Sequence, residues 1–391
     1  MVTALWNGEP GRRLTTLEAT SLMVGAGVGA GLMAVPALAE RSGLSVFLAI
    51  LGVGYAANVL IHLLLAEVLF RTDRDLQVVE LMRRYVFRGR WGPALTWTVF
   101  VLLSLSFLAN LAAYVAGEAD ILVELAGLPP LAAQLLVYAA SAGVVFFGLR
   151  AVGVSERLAA LLLVCCVALL AAGSIGLPYD PPVPPRGSLT DGLALYGMVM
   201  YAYYTFFAVP QVVQGLGDDR RAAVRAIVAG LAINGLLMGV VALVALGISS
   251  PVTEVAINGI ADRIGPWAGV TGSVFILFAF MTSYWSVSLA LADIIRERVA
   301  IGQRVSWLIA TLPSLLVLVL GAWGFIEWLR LAGGAIGIVI ALITIPMYVN
   351  ARRHGDNPTP GWELGPWGGP AMLAVAFLAT VLMAIGSLLA T

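Results

Sequence analysis

A chain of 391 residues with 60% hydrophobic and only 11% charged residues has too little polar surface to cover a water-soluble globule of that size, so lipid is its main solvent. Its 22 basic residues balance 22 acidic ones, which leaves no basic excess for nucleic acid and no acidic tail for a cationic partner. All the basic residues are Arg, which excludes lysine-dependent chemistry, and His62, His354, Cys165 and Cys166 form no cluster able to hold a structural or catalytic metal.

A bilayer core is crossed by about 20 uncharged residues in a helix. Stretches free of Asp, Glu, Lys and Arg cover 19–39, 42–66, 91–117, 125–149, 158–179, 192–217, 226–253, 264–292, 305–326, 331–351 and 364–391, and they predict an all-α polytopic membrane protein of eleven transmembrane helices. Barrel strands would alternate in hydrophobicity, and these glycine-punctuated runs do not. No cleavable signal peptide is expected, since Arg12 and Arg13 precede a span long enough to cross the membrane. The segment from Arg71 to Arg90 spaces Leu76, Val79, Met82 and Val86 among charges, which fits either an amphipathic helix on the inner surface or an ordinary connector. In the fifth span Cys165 and Cys166 read as two core thiols, since adjacent helical side chains diverge too far for an unstrained bridge.

Arginine placement sets the orientation, because positive charge stays in cytoplasmic loops. Alternate loops hold eighteen arginines (12, 13, 71, 74, 83, 84, 88, 90, 150, 157, 220, 221, 225, 296, 298, 304, 352 and 353) against four (41, 186, 263 and 330). The N-terminus is therefore expected in the cytoplasm of a cell bounded by this inner, or plasma, membrane, with Thr391 outside.

Five spans precede the proline-rich segment Pro178–Arg186 and five follow it, so the sixth enters from the side opposite to the first, the topology of an inverted repeat. The organisation expected is a cytoplasmic N-terminus (1–14), a first repeat (15–177), an extracellular connector (178–187), a second repeat (188–351), and a cytoplasmic loop with the last span (352–391). The first span contains Gly25-Ala-Gly-Val-Gly-Ala-Gly31 and then Ala34-Val-Pro36; the sixth contains Tyr203-Tyr-Thr-Phe-Phe-Ala-Val-Pro210. Such runs disfavour continuous helix, and the freed amides and carbonyls must find partners at membrane depth. A solute and its ion can supply them. Close helix packing through the small residues is the other reading of the first span.

These motifs, with Phe206-Phe-Ala-Val-Pro-Gln-Val212, Met281-Thr-Ser-Tyr-Trp-Ser-Val-Ser-Leu-Ala-Leu-Ala-Asp293 and Gly333-Gly-Ala-Ile-Gly-Ile338, occur in order along nearly the whole chain. They resemble the amino acid/auxin permease branch of the amino acid–polyamine–organocation superfamily, especially bacterial hydroxy and aromatic amino acid permeases. The resemblance implies a LeuT-type five-plus-five fold with helices 1 and 6 broken and a substrate held between spans 1, 3, 6 and 8. It places a substrate carboxylate on the amides of Ala30 and Gly31, beside Gly27 and Gly29, and a possible sodium ion at the carbonyls of Gly25 and Val28 with the hydroxyls of Thr282 and Ser283. Ala26 stands where some sodium-coupled members carry an amide, which argues against a second sodium site.

Tyr114 is the third-span residue best placed to line the pocket, and Tyr203, Phe206 and Phe207 are the sixth-span candidates, with Tyr204 also beside the break; two of these four aromatics are expected to face the solute. Ionisable residues at membrane depth are costly and mark function. Glu67, one turn before Arg71, is either a structural ion pair or a coupling group; Glu118, near Asp120, is either an extracellular vestibule charge or a coupling group. No catalytic constellation appears, so no enzyme and no cofactor are expected. The function expected is symport of a small amino acid by alternating access, coupled to Na+ or H+. A membrane sensor that binds an amino acid without efficient transport is the alternative.

Overall fold

The computed structural model describes residues 14–72, 76–178, 187–249, 251–320 and 343–389. Among them all regular structure is helical. The chain opens with α1 (Thr16–Gly27), held at its start by a reciprocal pair in which Thr15 accepts from the Glu18 amide and Glu18 accepts from the Thr15 amide. After two non-helical residues it resumes as α2 (Ala30–Ser42), and the two halves meet at a bend of 54°. There follow α3 (Leu44–Phe70), the short α4 (Val78–Tyr85), α5 (Gly92–Ala126), α6 (Pro130–Phe146) and α7 (Leu149–Gly173).

The second half repeats the theme. Helix α8 (Leu189–Ala202) stops, a single 3-10 turn covers Phe206–Ala208, and α9 (Val209–Leu216) continues with Pro210 in its first turn, where a missing amide hydrogen costs nothing. Then come α10 (Arg220–Ile248), α11 (Ala256–Ile264), α12 (Pro266–Val299), α13 (Gln303–Leu320), α14 (343–354) and α15 (Pro370–Leu389).

Seven of these spans are long and apolar enough to cross a bilayer, the bent α1–α2 pair makes an eighth, and α6 and α13 are shorter apolar helices. Most of the stretch expected as the tenth span, with Gly333–Ile338 and Arg330, lies outside the described residues, as do Arg12, Arg13, Arg74 and the connector 179–186. The described residues therefore give a multi-span helical membrane protein but not the full count of eleven. Leu102, Leu105, Leu161, Leu243 and Leu378 point outward, as side chains facing lipid do.

Helices sort into two groups. α2 packs with α3, α8 and α10, and α1 with α10 and α12, while α5, α6, α12 and α13 pack with one another; α7 touches both groups, through α1 and α12. Outside the first group, α15 lies on α8 with backbone against backbone: a Cβ on Gly386 would stand 2.2 Å from the Leu193 carbonyl oxygen, and one on Gly197 would stand 2.3 Å from the Gly386 carbonyl carbon. The Tyr196 hydroxyl donates to the Ala379 carbonyl at 3.1 Å across the same contact.

Three expectations change. Cys166 is buried but Cys165 is exposed, so only one of the two is a core thiol. In α4, Val78, Val79, Leu81, Met82 and Tyr85 are buried against protein, and Glu80 pairs with Arg83 and, at 2.9 Å, with Arg298 of α12; the helix is tucked beneath α5 and α12 instead of lying free on the surface. The fifth span begins at Leu149 and not at residue 158, because counting uncharged residues ends a span at any carboxylate, including one buried within it.

Candidate functional site

The first break exposes main-chain groups in two directions. Val28 and Gly29 separate α1 from α2, so the amides of Ala30 and Gly31 begin a new helix with no acceptor inside it, at its positive dipole end. On the other side α1 ends, and the Ser283 hydroxyl of α12 lies 3.4 Å from both the Gly25 and the Val28 carbonyl oxygens. From α10, Asn234 donates to the Met23 carbonyl at 3.1 Å and steadies the end of α1.

The second break is held from α3. The Thr205 amide donates to His62 Nε2 at 3.2 Å, which puts the imidazole proton on Nδ1, where it bonds the Asn58 carbonyl at 2.6 Å. Phe206 and Tyr204 stand around the same imidazole, with ring centroids 6.0 and 6.1 Å away. A side chain of one helix thus satisfies an amide that the break has freed in another. We expect His62→Phe to keep the packing but strand that buried amide, lowering stability by about 1–3 kcal/mol; thermal unfolding in detergent with and without the substitution measures it.

The two breaks and α5 enclose a cavity. Gly27, Gly29 and Gly31 line it on one side, Phe207 with Tyr204, Thr205 and Ala208 on another, and Tyr114 with Phe107 and Asn110 on the third, while Ser283 and Ser286 of α12 close it. Of the aromatic candidates, Tyr114 and Phe207 are therefore at the cavity. Tyr203 and Phe206 are not: the Tyr203 hydroxyl donates to the Leu51 carbonyl at 3.2 Å, and Phe206 packs on His62. Tyr204 takes a place beside Phe207, so two of the four rings at the break do face inward. Sequence reasoning missed Tyr201, Phe107 and Ser286, whose types carry no signal without knowing which helical face is turned in. The Asn110 Oδ1 and the Tyr204 hydroxyl are buried here without a hydrogen-bond partner. Buried polar groups need partners, so a cavity that leaves two unpaired is shaped for a polar guest.

The profile of the tryptophan/tyrosine permease family matches residues 13–387. The chain belongs to the tryptophan/tyrosine permease family. The permease is thus a membrane transporter and not an enzyme, in line with the resemblance read from its motifs. No curated protein matches it. Among solved structures it is similar to Mhp1, a nucleobase-cation-symport-1 family transporter in a closed conformation with bromovinylhydantoin bound, with 15% identity over 99% of this chain and 93% of that one and a TM-score of 0.67. It is also similar to a manganese transporter of Eremococcus coleocola in complex with an aromatic bis-isothiourea substituted compound, with 14% identity over 96% and 86% of the two chains and a TM-score of 0.61. At such identities the likeness concerns the fold, which is that of the transporters expected from the paired breaks.

Among the described residues Glu67, Glu118 and Glu156 are the acidic residues with no exposure at all, and they differ in what surrounds them. Glu67 is saturated: Arg71 donates to Oε1 at 2.8 Å, while the Tyr348 hydroxyl and the Leu364 amide donate to Oε2 at 3.1 and 2.8 Å. That is the arrangement of a structural ion pair tying α3 to α14 and to the segment before α15. Glu118 is not a vestibule charge. It is fully buried and accepts from Ser141 of α6 at 3.0 Å, with Oε1 unpartnered, while Asp120 on the opposite side of α5 is exposed. Glu156, which falls between the uncharged stretches 125–149 and 158–179, sits inside α7 and is likewise fully buried, accepting from Ser286 at 2.9 Å. Thr282, beside it, donates to the Ala279 carbonyl of its own helix at 3.0 Å.

Proposed function

We propose that this permease is an ion-coupled symporter of a small amino acid, most suitably an aromatic one, working by alternating access. The observation that carries the reading is the cavity lying where both helix breaks meet, with free amides on one wall and unpaired polar groups and rings on the others. A substrate carboxylate would sit at the amides of Ala30 and Gly31, where partial positive charge is already in place. Its ring would lie among Phe107, Tyr204 and Phe207, whose aromatic edges and faces favour another aromatic group. The name of the family points to the same class of substrate. The N-terminus would be cytoplasmic in a plasma membrane, and the chain would run as two inverted five-helix repeats, 15–177 and 188–351, joined by the connector 178–187 and followed by a last helix.

Purified protein in liposomes tests this. Labelled tryptophan or tyrosine should accumulate above equilibrium when an inward sodium or proton gradient is imposed, and collapse of the gradient should abolish accumulation. Tyr204→Ala should raise the KM for these substrates about tenfold, the loss expected when a buried ring contact and its hydroxyl are removed from a binding site. Saturable binding with no accumulation and no counterflow under any gradient would replace transport by the sensor reading.

A further inference from the structure

Asn110 is a polar part of the cavity wall with no task in holding the fold. It lines the cavity from α5, is only 3% exposed, and makes no hydrogen bond among the described residues, its Oδ1 being shut off from water. Other buried asparagines of the bundle bind main chain: Asn58 donates to the Gly54 carbonyl of its own helix at 3.0 Å, and Asn234 to the Met23 carbonyl at 3.1 Å. Asn110 bonds neither its own helix nor a neighbour. A buried carboxamide left unpaired is costly, so its partner is one that comes and goes.

Position along α5 says which part of a guest it meets. Residues 107, 110 and 114 share one face of the helix, and all three line the cavity. The Tyr114 end of that face lies at the first break, where a Cβ on Gly29 would stand 3.8 Å from the Tyr114 hydroxyl oxygen. The Phe107 end lies among rings, Phe107 and Phe207 meeting edge to face with centroids 4.6 Å apart. Asn110 comes between, about 6 Å of helix rise from Tyr114 and about 4.5 Å from Phe107. An amino acid with its carboxylate at the amides of Ala30 and Gly31 covers that interval with Cα and Cβ. Its ring, and not its ammonium group, then comes level with Asn110.

Phe107, Phe207 and Ala208 give a ring set there apolar contact whatever its polarity. An acceptor oxygen in such a surface adds discrimination. An indole has one N–H and a phenol one O–H to donate to Oδ1, whereas a phenyl ring has none and would bury the oxygen unpaired. A site built this way rejects the ring that lacks the donor.

We propose that Asn110 is the specificity residue of this permease, its Oδ1 accepting a hydrogen bond from the substrate ring, so that indole and phenol side chains are taken in preference to a bare phenyl. The inference rests on the aromatic symport reading and adds to it the atom that reads the ring.

Competition against labelled tryptophan bound to the purified full chain in detergent tests the assignment. The informative competitor is benzothienylalanine, which keeps the shape of tryptophan with sulfur in place of the ring N–H. The wild type should bind tryptophan about 10–100-fold more tightly than this analogue, and tyrosine more tightly than phenylalanine by a similar factor. Asn110→Leu, which keeps the branched shape without the polar atoms, should weaken tryptophan and spare the analogue, bringing their ratio to about one or below. A residue that only packed would weaken both alike. Unfolding midpoints check that the variant is folded; if it is not, Asn110→Ala takes its place. Equal affinities for tryptophan and the analogue in the wild type overturn the proposal whatever the variants do, and leave symport standing. A ratio kept in folded Asn110→Leu but lost in Tyr204→Phe also overturns it and passes the reading of the ring to that hydroxyl. Discrimination that depends on Asn110 without uptake under any gradient would remove only the transport reading, and a wild type that binds no aromatic amino acid overturns both.

Discussion

Glu67→Ala is expected to destabilise the permease by about 3–5 kcal/mol, the usual cost of removing one partner from a buried ion pair. The substitution leaves three donors without their acceptor: the Arg71 guanidinium, the Tyr348 hydroxyl and the Leu364 amide. Arg71 keeps a second partner in Glu363 at 2.7 Å, which places the loss toward the lower end of that range. Glu67→Gln retains one acceptor oxygen at nearly the same volume and should recover about half of the loss. Thermal unfolding of the three proteins in one detergent measures both. Because the knot binds α3 to α14 where α3 ends, the variants should also open that end of the bundle to proteolysis while ion-driven uptake, where the protein stays folded, keeps its ion dependence. Lost ion dependence in folded Glu67→Gln would make this carboxylate a coupling group and not a lock.

Gly25→Ala should lower uptake about 10–100-fold, the cost of misplacing a group that supports an ion or proton site, and also cost some stability. The new methyl would fall on Glu156 Oε2 and 2.9 Å from the Thr282 Cβ; the carboxylate, at the far end of a flexible side chain, can swing away, but the threonine carbon is fixed to α12, so α1 and α12 must also shift apart. A wild-type size-exclusion profile with a lowered unfolding midpoint, together with the uptake loss, is the expected outcome. Normal uptake by Gly25→Ala would mean that the contact between α1 and α7 has no part in coupling.

The two helix breaks were legible in the sequence because their causes are local: four glycines in seven residues at the first, and Ala208-Val-Pro210 after a run of aromatics at the second. Phe207 and the first-break glycines were legible for the same reason, lying within a turn or two of those signals, and Tyr114 because it stands one helical turn from Glu118 on the third span. Glu156 was not. Counting uncharged residues treats each carboxylate as the edge of the membrane, so the method hides the buried acids that matter most; Arg157 next to it strengthened the false boundary, and in the structure that arginine turns toward Glu18 at 3.7 Å while Glu156 turns inward. His62 escaped for another reason. As a lone histidine it had no ligand partner in the sequence, and its real partner, the amide of Thr205, is a main-chain group 143 residues away that becomes available only because the helix there has stopped. Tyr203 and Tyr204 show the limit of neighbour reasoning: adjacent tyrosines at one break, one bonded to α3 and the other facing the cavity.

The glycine contact between α8 and α15 bears on the lipid as much as on the protein. With Gly197 against Gly386, no side chain stands between the two backbones to act as a bearing, so a tilt of α8 carries α15 with it. The outer face of α15, with Leu378 and Leu388, then has to plough through neighbouring acyl chains at each turnover. Turnover of this permease should accordingly depend on bilayer fluidity, and fall sharply below the melting temperature of the surrounding chains.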